Sequence, residues 1–295
     1  MYNEIHKQTD VRLWVISDLQ QSQPQSARQC ITAAVEDFKQ LGLECNRILY
    51  LGDSVEGSNL SHLNEMAKMQ GEILATLGIP LCFVMGNHDL DYYRSCLGTP
   101  KKIAMPFWEL VQKTPGWKTT AALEDFYFID DLGDLLLVGL SDHADSGGRW
   151  YSSHDHEICG DTGLYPYNDC HWDELRNFIA GQNKKVITFS HYAFRGGNRA
   201  GNMISKLFPL PSNVALHLYG HAHIGDTVWA GKDCFRKISW VDGHDIAQID
   251  VASLENLRGN AVRSAFVEYS SAGSISVMFR NHNLRKWEGI YAIVV

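Results

Sequence analysis

Five apolar runs along this sequence each end in a cluster of carboxylate, amide or imidazole side chains. The clearest cluster is Gly86-Asn87-His88-Asp89, which follows the apolar residues 81–85. An apolar run of this length between a proline and a glycine is typical of a buried strand. In open α/β sheets, ligands bind beyond the carboxyl ends of the strands. The sequence therefore predicts an α/β protein with a ligand site at these strand ends.

The other four runs end in polar groups of the same kinds. Helical patterns at 26–41 and 61–77 separate the first three runs, and this alternation is typical of parallel strands joined by right-handed crossovers. A single strand-end Asp is more often a helix N-cap than a metal ligand, but turns and caps do not explain five such clusters in order. The clusters contain Asp18 and Gln20; Asp53 and Glu56; Asn87, His88 and Asp89; His191; His221 and His223.

The remaining segments favour one domain over residues 1–295. A polar segment at 141–171 is too long for an ordinary connection, and we expect it to be a loop near the site. The last part, 226–295, reads as short strands without helices of comparable length, and we expect these strands at 226–230, 235–240, 245–249, 261–269 and 275–279. Between these segments the patterns predict a helix within 101–113, a hairpin of 126–129 with 135–140, a helix at 172–180, and strands at 185–190 and 214–219.

Composition excludes several classes of protein. Of the 295 residues, 45% are hydrophobic and 20% are charged, which is ordinary for a globular protein. The net charge of −8 argues against general binding of nucleic acid, because that affinity comes mostly from Lys and Arg. Seven cysteines without a CxxC pair suggest reduced thiols, and no signal peptide or membrane span is visible. We expect a cytoplasmic protein without a membrane partner, and its oligomeric state stays open.

The clusters share one chemistry. Carboxylate and amide oxygens combined with imidazole nitrogens suit hard or borderline divalent metals. The clusters contain no cysteine, which argues against a thiolate zinc site. Several such groups can hold two metals about 3.5–4 Å apart with one carboxylate between them. Such a pair lowers the pKa of a bound water and clamps a phosphoryl oxygen. The pattern therefore points to phosphoryl chemistry.

The full series is Asp-x-Gln, Gly-Asp, Gly-Asn-His-Asp, His and Gly-His-x-His. It resembles the calcineurin-like metallophosphoesterase family. The resemblance implies a four-layer αββα sandwich of two mixed sheets flanked by helices, with a dinuclear site at the strand ends. It implies that Asp53 bridges the two metals. The remaining ligands would be Asp18, Gln20 and His223 for one metal and Asn87, His191 and His221 for the other.

The resemblance also assigns a proton donor. His88 would lie near the leaving-group oxygen, where charge develops as the ester bond breaks. Glu56 stands where many relatives have an Asp that hydrogen-bonds this histidine, so we assign it to orienting His88, with a solvated loop carboxylate as the equal alternative. Asp89 either supports the ligands or caps a helix, and the cap is favoured.

One position departs from the family pattern. Most relatives have His two residues after the first Asp, and this chain has Gln20 there. A neutral oxygen ligand shifts the preference from iron or zinc toward manganese or magnesium. The variant is similar to the branch that includes manganese-dependent ADP-ribose/CDP-alcohol diphosphatases. We expect two divalent ions, with Mn²⁺ favoured and Mg²⁺, Fe or Zn²⁺ as alternatives; a water in place of Gln20 is the other interpretation.

Three residues are candidates for substrate binding. Arg195 and Arg199 lie in a glycine-rich segment after His191, where an arginine can fork onto a phosphate oxygen. His143 belongs to the 141–171 loop, whose aromatic and histidine side chains could contact a base or ribose. Ordinary surface arginines and a covering loop are the alternatives.

The resemblance implies a phosphoesterase that hydrolyses a small phosphodiester or nucleotide-type pyrophosphate through a metal-activated hydroxide. The family's protein phosphatases usually carry Gly-Asp-x-x-Asp-Arg and Gly-Asn-His-Glu, which differ from this chain at Glu56, Gly57 and Asp89. A phosphomonoesterase remains an alternative, and a nuclease is disfavoured by the charge. A protein-binding scaffold is a further alternative, disfavoured because His88 and nearly every ligand position are intact.

Overall fold

The computed structural model describes residues 9–56, 62–89, 106–121, 125–140, 149–151, 158–161, 169–194, 207–223, 239–240, 246–257 and 261–294. These ranges form two mixed six-stranded sheets, one two-stranded sheet and four α-helices. The strands are β1 (Val11–Ile16), β2 (Arg47–Tyr50), β3 (Leu81–Phe83), β4 (Tyr127–Asp131), β5 (Leu135–Leu140), β6 (Arg149–Tyr151), β7 (Ile158–Asp161), β8 (Lys185–Ser190), β9 (Val214–Tyr219), β10 (Ser239–Trp240), β11 (Ala247–Asp250), β12 (Arg263–Ser270), β13 (Ser274–Asn281) and β14 (Lys286–Val294).

Each large sheet has a parallel part. The first sheet has the order β14-β13-β12-β1-β2-β3, with β1, β2 and β3 parallel and β12 antiparallel to β1. The second has the order β10-β11-β9-β8-β5-β4, with β5, β8, β9 and β11 parallel. Because parallel strands all end at the same edge of a sheet, the polar clusters after β1, β2 and β3 come together, as do those after β8 and β9.

The helices largely follow the predicted pattern. They are α1 (Pro24–Leu41), α2 (Leu63–Ala75), α3 (Pro106–Lys113) and α4 (Asp169–Ala180). α1 ends where predicted, because Gly42 adopts the left-handed conformation (φ 62°) that glycine accepts at a helix C-terminus. Within the described ranges, no helix is long and apolar enough to cross a membrane.

Three apolar clusters separate four layers. On β1, alternate side chains divide between two of them: Trp14 and Ile16 pack toward α1, whereas Leu13 and Val15 pack between the sheets. The third cluster lies between the second sheet and α4, where Trp172 is buried. This confirms the predicted two-sheet sandwich flanked by helices.

Some predicted elements differ from the structure. The segment 141–171 is not one loop, because β6 pairs with β7 inside it and α4 begins at Asp169 rather than at residue 172. The sequence pattern missed β14, an edge strand with Gly289 in its middle and several exposed side chains. The strands predicted at 226–230 and in the first part of 235–240 lie outside the described residues.

A buried polar network fastens α1 to the first sheet. Asp37 accepts hydrogen bonds from Arg280 Nε (2.8 Å) and Nη2 (2.7 Å) and from His282 Nδ1 (2.8 Å). On its other side, His282 Nε2 lies 2.8 Å from the hydroxyl of Ser264, which also accepts the Trp14 indole N–H at 2.8 Å. The order Ser–His–Asp matches a catalytic relay, but all three side chains are buried, so the network holds elements together.

The network makes stability depend on pH. Burial raises the pKa of Asp37, but hydrogen bonds from Arg280 and His282 outweigh burial and hold the pKa well below its usual range. A carboxyl with a depressed pKa stabilises the fold fully above its unfolded pKa, about 3.9. That stabilisation is lost as the pH falls from there toward the folded-state pKa.

We predict that Asp37→Asn lowers the free energy of unfolding by about 3 kcal/mol at pH 7, because it leaves Arg280 buried without a charged partner. The difference from wild type should be smaller at pH 3. Urea unfolding followed by circular dichroism measures both values. Asp131→Asn is the matched control, since Asp131 is exposed and its pairing with Lys184 should contribute less than about 1 kcal/mol. Equal losses for the two variants would contradict this account.

Candidate metal centre

The loops after β1 and β2 are tied together by their backbones. The Asp18 N–H donates to Gly52 O at 3.0 Å, and the Leu19 N–H donates to Asp53 O at 2.9 Å. From the second sheet, the His221 N–H lies 3.0 Å from Asp18 Oδ2. Strand ends of both sheets therefore meet at one place, as the sequence pattern predicted.

Asp53 stands between two groups of possible ligands. One group is Asp53, His191 and His221, and the other is Asp18, Asp53 and His223; within each group, one ligand atom per residue lies within 4.8 Å of the others. Asp53 is fully buried. A carboxylate shared by two groups is the arrangement that a pair of metal ions requires.

The Asp18 half-site consists of Asp18, Gln20 and His223 with the shared Asp53. His223 Nε2 lies 3.1 Å from Asp18 Oδ1 and 2.7 Å from the amide nitrogen of Gln20. The other amide atom, Gln20 Oε1, is buried and has no hydrogen-bond partner among the described residues. Since half a turn of the amide exchanges its two end atoms, Gln20 can present this oxygen to a cation.

The His191 half-site contains His191 and His221 with the shared Asp53. The side chain of Asn87, the remaining predicted ligand, lies outside what the structure describes. His191 Nε2 lies 3.1 Å from Asp53 Oδ2 and 3.1 Å from His221 Nδ1. His191 Nδ1 donates to the backbone oxygen of Leu51 at 2.7 Å, which turns Nε2 toward Asp53. Asn87 is the first residue of the short 3₁₀ helix Asn87–Asp89 that follows β3.

The charges and donor types fit divalent cations. Asp53 Oδ2 is buried and has no well-aligned hydrogen-bond donor among the described residues, although His191 Nε2 lies 3.1 Å away. Burial alone would raise the pKa of Asp53, but His191 and His88 outweigh burial and lower it. The described donor set is carboxylate oxygens, the amide oxygen of Gln20 and imidazole nitrogens, which suits manganese, magnesium, iron or zinc. The residues present therefore fit a dinuclear centre.

The neighbouring charges also act on the histidines. Burial lowers the pKa of His191, but the carboxylate of Asp53 outweighs burial and raises it. Burial likewise lowers the pKa of His223, and Asp18 outweighs it. For His221, burial and the neighbouring His191 together lower the pKa to about 3. The carboxylates therefore favour positive charge in the centre. Bound divalent ions would supply that charge.

Four candidate ligands have an unusual backbone conformation. Asp18, Asp53, His221 and His223 all have positive φ, between 47° and 66°. Left-handed backbone at a residue other than glycine is uncommon and costs free energy, so it persists only where the surroundings enforce it. At these four residues the left-handed backbone turns the side chain into the site shortly after a strand ends.

The motif glycines allow the loops to approach each other. A Cβ on Gly86 would lie 2.6 Å from the Asp53 nitrogen and would also overlap its carboxylate. A Cβ on Gly220 would lie 2.5 Å from Asp18 Oδ2 and would also overlap the hydroxyl of Ser17. Glycine is needed at both positions because the neighbouring loop occupies the space of a side chain.

His88 and Glu56 lie together beside the centre. The His88 backbone N–H donates to Asp53 Oδ1 at 2.8 Å, and His88 Nδ1 lies 3.0 Å from Glu56 Oε1. Burial lowers the pKa of His88, but Asp53 and Glu56 outweigh burial and raise it. Glu56 therefore lies within hydrogen-bond distance of His88, and its role in orienting that ring stays a prediction.

Asp89 is a support for the ligand loops. Its carboxylate accepts backbone N–H groups from Gly86 (2.6 Å), Asp53 (2.8 Å) and Ser54 (2.8 Å). Burial and the nearby Asp53 raise the pKa of Asp89 to about 6. Of the two roles that the sequence left open, the contacts favour support of the ligands over the helix cap.

The sequence analysis did not find two carboxylates near the centre, both of which come at or after the end of β11. Asp250 is the last residue of β11, and Glu255 follows five residues later; both are buried. Glu255 Oε1 lies 2.6 Å from His223 Nδ1. The sequence predicts a strand at 245–249. A search for polar residues directly after that strand would have found Asp250.

The three predicted substrate-binding residues, Arg195, Arg199 and His143, lie outside the described residues. Their proximity to the centre stays a prediction.

The family model of the calcineurin-like phosphoesterases matches residues 11–225. The chain therefore belongs to this family and is a hydrolase acting on phosphoester bonds, with a dinuclear divalent metal site implied. No curated protein matches the sequence.

Solved structures share the fold. A dimetal phosphatase from Danio rerio has a TM-score of 0.64 at 12% identity, with 97% of this chain and 99% of that chain covered. GAP50, the anchor in the inner membrane complex of Plasmodium, has a TM-score of 0.53 at 14% identity, covering 97% and 89%. The NAD nucleotidase NadN of Haemophilus influenzae has a TM-score of 0.52 at 11% identity, covering 95% and 53%. At these identities the likeness shows the fold alone.

We predict that Gly220→Ala weakens the binding of Mn²⁺ by about 10- to 100-fold, because the added methyl group displaces Asp18. Isothermal titration calorimetry of metal-stripped protein measures the affinity. Gly42→Ala is the matched control: its Cβ meets no atom within 4 Å, so it should cost about 1 kcal/mol of stability through its left-handed φ and leave metal affinity unchanged. Unchanged affinity in Gly220→Ala would contradict the proposed close approach.

Proposed function

We propose that this protein hydrolyses a small phosphodiester or a nucleotide-type pyrophosphate with two divalent ions, Mn²⁺ being favoured. The observation that carries the proposal is the buried carboxylate of Asp53, shared by two ligand groups and hydrogen-bonded to the backbone of His88. The proposed ligands are Asp18, Gln20, Asp53, Asn87, His191, His221 and His223. When bound, the two ions would activate a water and neutralise charge on the phosphoryl oxygens.

The chain's own residues position the reacting groups. Asp89 and the motif glycines hold the ligand loops in contact, so Asp53 needs little rearrangement on binding. Glu56 accepts the Nδ1–H of His88, which leaves Nε2 to donate a proton to the departing oxygen. Because a departing alkoxide or phosphate gains negative charge, a donor at this point lowers the barrier.

The choice of a small substrate rests on charge and motif. The net charge of −8 disfavours a polyanionic nucleic acid. The motifs differ from those usual in the family's protein phosphatases at Glu56 and Asp89. A nucleotide substrate is compatible with this fold, since an NAD nucleotidase shares it. Gln20 in place of the usual histidine supports Mn²⁺ or Mg²⁺ over iron and zinc.

We also propose a cytoplasmic location. Cys30, Cys45 and Cys82 are free thiols, and Cys30 and Cys82 are buried. Reduced, buried cysteines are typical of proteins from a reducing compartment.

A non-catalytic scaffold is the second candidate. The fold is shared with GAP50, the anchor in the inner membrane complex of Plasmodium. Against this role stand the intact ligand positions and the Glu56–His88 contact, which a binding scaffold does not need. Turnover with any metal would decide for the enzyme.

We predict that metal-stripped protein is inactive and that Mn²⁺ restores hydrolysis of bis-p-nitrophenyl phosphate more than of p-nitrophenyl phosphate. Mg²⁺, Zn²⁺ and Fe²⁺ should restore less. ADP-ribose and other pyrophosphates esterified at both ends, assayed by phosphate release after a coupling phosphatase, test the pyrophosphate class. Preference for the monoester would contradict the substrate class, and no turnover with bound metal would favour the scaffold.

His88→Ala is the control for mechanism. It should lower kcat by about 100- to 10,000-fold on a substrate with a poor leaving group, and by less on p-nitrophenyl esters, whose leaving group needs no proton. Its metal content, measured by plasma mass spectrometry, should equal that of wild type. Equal losses on both kinds of leaving group would contradict the donor role.

A further inference from the structure

His223 has a buried carboxylate behind it. Glu255 is fully buried, and its Oε1 lies 2.6 Å from His223 Nδ1. The other ring nitrogen, Nε2, lies 3.1 Å from Asp18 Oδ1. The Nδ1 atom of the imidazole ring therefore contacts Glu255, while the Nε2 atom points into the Asp18 half-site.

The backbone holds Glu255 against the same half-site. The Leu254 N–H donates to Ser17 O and the Glu255 N–H to Asp18 O, both at 2.9 Å. Before them, Ala252 has a φ of 67°, and its N–H donates to Asp250 Oδ1 at 2.8 Å. A strained turn after β11 thus places Glu255 against the backbone of one ligand and the side chain of another.

We propose that Glu255 is a positioning residue that sets the metal affinity of the Asp18 half-site through His223. The inference rests on the proposed metal centre. By accepting the Nδ1–H, Glu255 fixes the tautomer in which the Nε2 lone pair faces the cation. Its negative charge also makes the imidazole a stronger donor, as carboxylate partners do for other metal-binding histidines.

The His191 half-site has a different partner at the corresponding position. His191 Nδ1 donates to the neutral backbone oxygen of Leu51 at 2.7 Å. A change at Glu255 should therefore act on one half-site and spare the other. This selectivity separates a positioning role from general loss of structure.

The experiment is a titration of metal-stripped protein with Mn²⁺ by isothermal titration calorimetry, fitted to two binding events. Glu255→Gln keeps the shape and a hydrogen-bond acceptor but removes the charge, and should weaken one event about 10-fold. Glu255→Ala removes the charge and the hydrogen-bond acceptor, and it should weaken the same event by up to about 100-fold. The second event should keep its wild-type affinity in Glu255→Gln.

Two further readouts test positioning. In Mg²⁺-loaded protein, ¹⁵N NMR should show His223 as the Nδ1–H tautomer in wild type and a mixture of states in Glu255→Ala. At saturating Mn²⁺, kcat of Glu255→Gln should return close to the wild-type value, because the residue acts through metal affinity.

Glu268→Gln is the matched control. Glu268 is also buried, and its carboxylate pairs with Arg12 at 2.7 Å, between β1 and β12. The variant removes the same charge, so it should lose stability while binding both ions as wild type does.

The inference is overturned if both Glu255 variants bind Mn²⁺ as wild type does. It is also overturned if both binding events weaken equally, or if Glu268→Gln weakens them as much. Failure of the wild-type protein to bind Mn²⁺ would overturn the proposed function itself, and this inference with it. The two failures are thus distinguished by whether the defect is seen in wild type or only in the variants.

Discussion

The structure depends on compensating the negative charge of the carboxylates that are buried around Asp53. Asp18, Asp53, Asp89, Asp250 and Glu255 are all buried near one another or near the same histidines. Removing so many carboxylates from water is costly unless positive charge compensates them. Histidines supply part of that charge, and the donor set is suited to two divalent cations that would supply more.

The surrounding fold maintains this arrangement against its cost. Parallel strands of two sheets end at the same place, and four ligand residues take left-handed backbone to turn inward. Two close approaches, at Gly86 and Gly220, bring the glycine backbone against Asp53 in one case and against the side chains of Ser17 and Asp18 in the other. The Asp37 network pairs its buried groups with local partners, whereas Asp53 Oδ2, Gln20 Oε1 and Asp250 Oδ2 are buried without a hydrogen-bond partner among the described residues.

Much of the first sheet, and the meeting of most candidate ligands at one place, could be predicted from the sequence. β1, β2 and β3 are continuous apolar runs separated by helical patterns, and each metal-ligand candidate follows a run directly. Glu255 could not be predicted, because it lies five residues beyond β11 and only the folded path of 251–255 brings it to His223. The left-handed φ of Asp18 and His221 has no sequence signal either, since neither residue is glycine. β14 was missed because exposed apolar residues and Gly289 obscure the alternation of buried and exposed side chains.

The most direct test of the shared Asp53 is an anomalous difference map from crystals grown with Mn²⁺. We predict two peaks per chain, about 3.5–4 Å apart, with the Asp53 carboxylate between them. One peak should contact His223 and the other His191. A single peak, or two peaks of which neither contacts Asp53, would contradict a dinuclear centre built on this residue.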